Sequence, residues 1–205
     1  MATERKTLTQ LAVPICLETL FYMLSGMVDT LMLSSVSDQA VGAVGTANTY
    51  IGVFIIMFGV ISSGMVAVMS QNIGAGRPGI AYQARQLGLM FNALTGILMS
   101  VIIAFFSGEI LRIVSISPAL FEPAETYLKI VGGASFLNAL IPIFSSYLRV
   151  FGYTKHSLIG TVVGNVINII LNSVFLFVFN WGVMGVAAAT VFSKVVNLII
   201  VAAMG

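Results

Sequence analysis

Charge is scarce in this chain, with nine Lys and Arg and seven Asp and Glu among 205 residues. Together with 59% hydrophobic residues and a mean hydropathy of +1.06, that scarcity excludes an ordinary soluble domain and indicates a polytopic membrane protein. Cysteine is almost missing as well. The lone Cys16 excludes an internal disulfide and leaves the redox compartment unreadable. The single histidine, His156, lies in a basic loop, where a solvated or lipid-facing role is favoured over metal binding. There is no H-E-x-x-H, cysteine pair or nucleophile elbow, so enzymatic chemistry, a bound cofactor and a nucleic-acid partner are not expected. The segment GAGRPG (74–79) formally satisfies G-x-G-x-x-G, but it follows an apolar helix rather than a strand. It reads as a tight turn with Arg77 as an anchor. MATERKTLTQ is not a signal peptide: Glu4 intervenes, no small-residue cleavage site follows, and the apolar run continues too far.

What the chain does contain is long apolar runs. Six stretches, near 11–35, 41–73, 81–106, 124–150, 157–179 and 183–205, can each cross a hydrocarbon core as a helix. They are continuously apolar and do not alternate as barrel strands do. The expected fold is therefore an all-α integral membrane lobe of six transmembrane helices, one domain over 1–205. The connections are SSVSDQA, GAGRPGI, SGEILRIVSISPALFEP, RVFGYTKH and NWG. Pro142, inside span four, is expected to kink it, because proline removes a backbone donor and clashes with the preceding turn.

Arg5, Lys6, Arg77, Arg85, Arg149 and Lys155 flank one side of these spans, whereas Arg112 and Lys129 share the other with Asp38, Glu109, Glu122 and Glu125. The positive-inside rule then makes both termini cytoplasmic and disfavours an antiparallel dual-topology dimer. Trp181, Tyr127, Tyr82 and Tyr153 lie near span ends, as interfacial aromatics should.

Within span one stands Asp29. An ionised Asp at the centre of a lipid-spanning helix costs about 2.5 to 3.5 kcal/mol on insertion scales, so it is expected to face a wet cavity or a partner. At 1.5 Å of rise per residue, Asp29 lies about 9 Å from the outer end of its span. By the same measure Thr190, Asn172 and Asn48 are about 10 Å deep and Asn168 about 16 Å. Glu18, Tyr22, Ser25 and Asp29 are spaced by four, three and four residues, one stripe of a helix that should face protein or water. In span five, Gly160, Gly164, Asn168 and Asn172 recur at every fourth residue. The glycines form a GxxxG suited to close helix packing, and the amides suit either an interhelical hydrogen bond or an ion site. A carboxylate with amide and hydroxyl oxygens fits a hard cation such as Na⁺, or a proton held on Asp29.

At LAVPICLETLFYMLSGMVDTLMLSSVSD, MSQNIGAGRPGIA and NVINIILNSVFLFVFNWGVMGVAAATVFSK the chain resembles the N-terminal half of a multidrug and toxic compound extrusion (MATE) transporter, of the multidrug/oligosaccharidyl-lipid/polysaccharide exporter superfamily. The resemblance covers essentially the whole chain. It implies a six-helix lobe, paired with a second lobe in a V-shaped antiporter of the cell (inner) membrane that exports drug-like cations in exchange for Na⁺ or H⁺. Carried over by position, Asp29, Asn168, Asn172 and Thr190 are the cation-binding residues. Some members have Asp where this chain has Asn172, a departure that looks more like the sodium-binding branch.

Glu18 and Lys194 fit that cluster less well. Glu18 either lines the inner part of a substrate cavity with Tyr22, Ser25, Asn48 and Lys194, or is satisfied by Tyr22 or neighbouring polar groups. Lys194 either repels cations, pairs with Glu18 after helix tilt, or touches the missing half. Six spans supply half of such a transporter, so the chain is expected to be a truncated or partial reading frame, or else to work as a parallel homodimer. A lipid-linked saccharide flippase, which calls for a more basic cavity, and a non-transporting membrane fragment are the alternatives.

Overall fold

The computed structural model describes residues 8–205. Arg5 and Lys6, which enter the orientation argument, lie outside the described residues. The chain is all-α: α1 (Leu8–Ser34), α2 (Asp38–Gly74), α3 (Pro78–Ile113), α4 (Pro118–Tyr127), α5 (Ser135–Val150), α6 (Thr154–Ser173) and α7 (Gly182–Met204). A π-helical turn, Leu128–Gly132, follows α4, and another, Val174–Val178, follows α6. Five helices are long and apolar enough to cross a membrane, and six spans result if the bent pair Pro118–Gly132 and Ser135–Val150 counts as one.

The helix starts follow local chemistry. The Ser37 hydroxyl accepts the Ala40 N–H at 3.0 Å, and Asp38 opens α2, where a negative charge complements the helix dipole. Ahead of α3, Gly76 turns the chain at φ +70° and Pro78 takes the first helical position, which needs no donor. GAGRPG is thus a turn between two helices.

Two expectations need correction. SGEILRIVSISPALFEP is mostly helix rather than a loop: α3 passes through a non-helical residue, Phe106 (φ −115°, ψ 17°), and continues to Ile113, while α4 begins at Pro118 and contains Pro123. The extension persists because Leu111, Ala124 and Leu128 bury themselves in the core. The bend in span four lies at Gly133–Ala134, not at Pro142, which sits inside α5; the two segments meet at 43°.

That bend has a chemical anchor. The Phe136 N–H, next to the break, donates to Ser100 Oγ of α3 at 2.8 Å, so a group freed from regular helix bonding is satisfied across the interface. Two helical turns earlier in α3, buried Asn92 Nδ2 lies within hydrogen-bonding distance of Phe58 O (3.3 Å), Ser62 Oγ (3.2 Å) and Ala139 O (2.9 Å), tying α2, α3 and α5 together. Between these polar clamps the helices touch at Gly96.

A Cβ on Gly96 would come within 2.6 Å of the Ala139 Cβ and 3.0 Å of the Phe136 Cα. Gly96→Ala is therefore expected to destabilise the fold by about 1–3 kcal/mol, seen as a lower thermal midpoint in detergent. Gly59, mid-helix with nothing within 4 Å of an added Cβ, should tolerate alanine without loss.

Candidate ion and substrate site

α1 packs chiefly against α6. It has few buried residues, and Leu20, Met23, Met27 and Leu31 are all exposed. Polar contacts run the length of the seam instead. Near its start, Glu18 Oε1 accepts from Ser157 Oγ (2.8 Å) and Thr161 Oγ1 (3.4 Å) and pairs with Arg149 Nη2 at 2.8 Å. In the middle, Asn165 Nδ2 donates to the Phe21 carbonyl at 2.7 Å. Farther along, Asn172 Nδ2 donates to Asp29 Oδ1 at 2.6 Å and contacts Asn168 Oδ1 at 3.2 Å.

Helical periodicity explains the alignment. Asp29 lies eleven residues beyond Glu18, and Asn172 eleven beyond Thr161. Eleven residues are a little over three turns and about 16 Å, so parallel helices present both carboxylates to the same neighbour. The glycines of α6 serve the adjoining α7. Added Cβ atoms on Gly160 and Gly164 would meet Val201 and Asn197, and Asn197 and Ser193, so the GxxxG is a packing face.

Around Asp29 the structure brings together the polar residues of several helices. Thr190 of α7 and Asn48 of α2 both adjoin the Tyr127 hydroxyl, which is within electrostatic reach of Asp29 and Tyr22. Thr190 Oγ1 and Asn172 Oδ1 are buried and make no hydrogen bond of acceptable geometry. Asn172 Oδ1 is free to accept another group, while Thr190 Oγ1 faces the Tyr127 hydroxyl. Ser25 and Asp29 are half-buried, whereas Asn48 is exposed and Tyr22 is 59% exposed, so the cluster opens on that side. No group of three His, Cys, Asp or Glu suited to a metal occurs among the described residues. The donor set is one carboxylate with amide and hydroxyl oxygens, which suits a hard monovalent cation.

Sequence reasoning missed Tyr127. Read as an interfacial aromatic, it is only 3% exposed and lies within the core, because span four starts earlier than expected. Its position beside Pro118 and Pro123 hid the helix that carries it inward. Glu18 meets neighbouring polar groups, one of the two expectations: Arg149, Ser157 and Thr161 contact its Oε1, and Tyr22 is not among these partners. The pairing of Lys194 with Glu18 does not occur. Half-buried Lys194 is instead within electrostatic reach of Asp29. His156 is half-buried, with its ring edge-on to Tyr153 at 5.5 Å.

The family model described as MatE matches residues 14–174. The chain belongs to the MatE family. This is a family of membrane transporters, not of enzymes. Among similar proteins, the uncharacterized transporter YisQ of Bacillus subtilis (strain 168) is 36% identical over 97% of this chain and 44% of its own length. The probable multidrug resistance protein NorM of Thermotoga maritima is 29% identical over 94% of this chain and 42% of its own length. A solved multidrug resistance MATE transporter of the MOP superfamily, in its outward-facing conformation, superposes with a TM-score of 0.87 at 21% identity, over 95% of this chain and 43% of that one. The MatE chain thus spans less than half the length of these relatives.

The seam makes a structural forecast. Asn172→Leu removes the amide that donates to Asp29 and leaves a carboxylate without its partner in an apolar setting. Hydrogen exchange of the α1 amides around Met27–Leu31 should accelerate by at least about tenfold, a shift of about 1.4 kcal/mol in opening free energy, while the α2–α3 interface stays protected.

Proposed function

We propose that this MatE chain is one six-helix lobe, the N-terminal half, of a multidrug efflux antiporter of the cell (inner) membrane, with both termini cytoplasmic. In this reading Asp29, Asn168, Asn172 and Thr190 bind Na⁺ or H⁺ and exchange it for a drug-like cation. Tyr22, Ser25 and Asn48 line the open side of the cavity, and a second six-helix lobe closes it. The observation that carries the reading is the donor set at Asp29: a half-buried carboxylate, held at 2.6 Å by the amide N–H of Asn172, whose own oxygen is buried without a partner. Removing charge from such a site without replacing it is costly, so ion and cationic substrate compete for one carboxylate.

Several relatives bear names that support drug export, among them the multidrug resistance protein PmpM of Pseudomonas aeruginosa, 30% identical over 85% of this chain. The positive end of the lobe supports the orientation. Arg85 stacks its guanidinium 3.9 Å from the Tyr147 ring centroid, and Arg149 lies in the last turn of the same helix as Tyr147. A lipid-linked saccharide flippase is less well supported, because Lys194 is the one basic side chain among the described residues within electrostatic reach of Asp29 and its charge is already opposed there.

The energy available is adequate, since one charge crossing 100 mV supplies about 2.3 kcal/mol. The test is efflux of a cationic dye from vesicles containing the intact gene product, energised by a Na⁺ or an H⁺ gradient. Asp29→Asn keeps the size of the side chain and removes its charge. It should lower gradient-driven efflux at least about tenfold, the equivalent of about 1.4 kcal/mol. Unchanged efflux in that variant would remove Asp29 from the coupling role.

A further inference from the structure

The inner end of the α1–α6 seam repeats the chemistry of its outer end. Glu18 is 8% exposed, and its Oε2 is buried without a hydrogen-bond partner. Oε1 has Ser157 Oγ at 2.8 Å and Thr161 Oγ1 at 3.4 Å. Carboxylate and hydroxyl oxygens are the ligands of hard cations, just as at Asp29. What occupies the cation position is the Arg149 guanidinium, at 2.8 Å, in the one ion pair among the described residues.

The two partners are held very differently. Glu18 is locked inside the bundle, whereas the Arg149 side chain is 34% exposed and extends from the last turn of α5. Arg149 also borders an open cleft of about 460 Å³ between α1, α2 and α5, which Ser63, Ser70 and Ser146 line with hydroxyls. A long, flexible cationic side chain therefore has a polar place to move to, and the carboxylate does not. Because an unpaired buried carboxylate is strongly disfavoured, Arg149 can leave only as another cation, or a proton, neutralises Glu18. Charge neutrality selects a monovalent ion, since a divalent one would leave excess charge in an apolar setting.

We propose that Glu18, Ser157 and Thr161 form a second binding station for a hard monovalent cation, on the basic side of the lobe, and that Arg149 is the tethered internal cation exchanged for it. The station lies about 16 Å along the seam from Asp29, three helical turns, and gives an ion released there a second carboxylate on its way to the basic side. This rests on the reading of Asp29 as the coupling site, yet it is separable from it by experiment.

The test is equilibrium binding of radioactive Na⁺ to the purified protein in detergent. The wild type should bind one Na⁺ per chain in competition-free buffer, because Arg149 fills the inner station. Arg149→Gln should add a second Na⁺, Glu18→Gln/Arg149→Gln should abolish that addition, and Asp29→Asn/Arg149→Gln should retain it. No added Na⁺ in Arg149→Gln, or an added Na⁺ indifferent to Glu18, overturns the proposal. Loss of no Na⁺ in Asp29→Asn alone overturns only the coupling role of Asp29. A second measurement takes its deciding comparison from the wild type. Modification of Arg149 by phenylglyoxal, followed by mass spectrometry, should accelerate at least about threefold in Na⁺ relative to choline, as expected when the ion shifts Arg149 to its released position. In Glu18→Gln the rate should be fast in both salts. An Arg149 rate indifferent to Na⁺ in the wild type contradicts the exchange.

Discussion

A carboxylate in an apolar helix must be answered by a neighbour, and in this lobe that requirement joins α1 to α6. α1 has little buried apolar surface, and lipid competes for apolar contact on equal terms with protein. Polar contacts therefore carry an unusual share of its attachment. Glu18, the Phe21 carbonyl and Asp29 face Ser157 and Thr161, Asn165, and Asn172 in turn. Each contact in a membrane protein contributes about 0.6 kcal/mol on average and up to about 1.7, enough together to fix register without welding the helices. A helix held in this way is stable when its carboxylates are satisfied and loosened when their partners change. In the proposed reading, ion binding and helix position are then two views of one equilibrium.

The remainder of the lobe is built more rigidly and supplies a frame for that seam. Asn92 and Ser100 of α3 satisfy backbone and hydroxyl groups of α2 and α5, and Gly96 lets α3 and α5 approach at backbone distance. The bend at Gly133–Ala134 aims the first part of span four so that Tyr127 reaches the Asp29 cluster, while α5 continues to Arg149 beside Glu18. One broken span therefore contributes to both ends of the seam. The π-helical turn before the bend accommodates the change of direction within a continuous chain.

The fold was legible in the sequence because a run of apolar residues long enough to span a membrane leaves few alternatives to helix. Asp29 was legible for the same reason: a charge is conspicuous where there is almost none. Asn168 and Asn172 declared their shared face by a spacing of four. Other features depend on contacts between distant parts of the chain, and local pattern says nothing of them. Arg149 looks like any anchor at a basic span end, yet it turns inward to Glu18. Asn92 is one polar residue in an apolar span, and only the packing of α2 and α5 around it gives it a role. Pro142 suggested the wrong position for the bend, since a proline signal is visible locally and the release of Phe136 to Ser100 is not. Tyr127 was misplaced because two prolines suggested a loop where a proline at the first helical position instead begins a helix.

The claim on which the account turns is that carboxylates, not apolar packing, hold α1 to the lobe. Spin labels on Leu31→Cys and Val178→Cys, both exposed positions, in a Cys16→Ser background report the separation of α1 from the end of the π-helical turn after α6. Pulsed electron resonance should give a narrow distance distribution when Glu18 and Asp29 are present. It should give a broader, longer one in Glu18→Ala/Asp29→Ala, with α2–α3 label pairs unchanged. An unaltered α1–α6 distribution in that double variant would contradict the account.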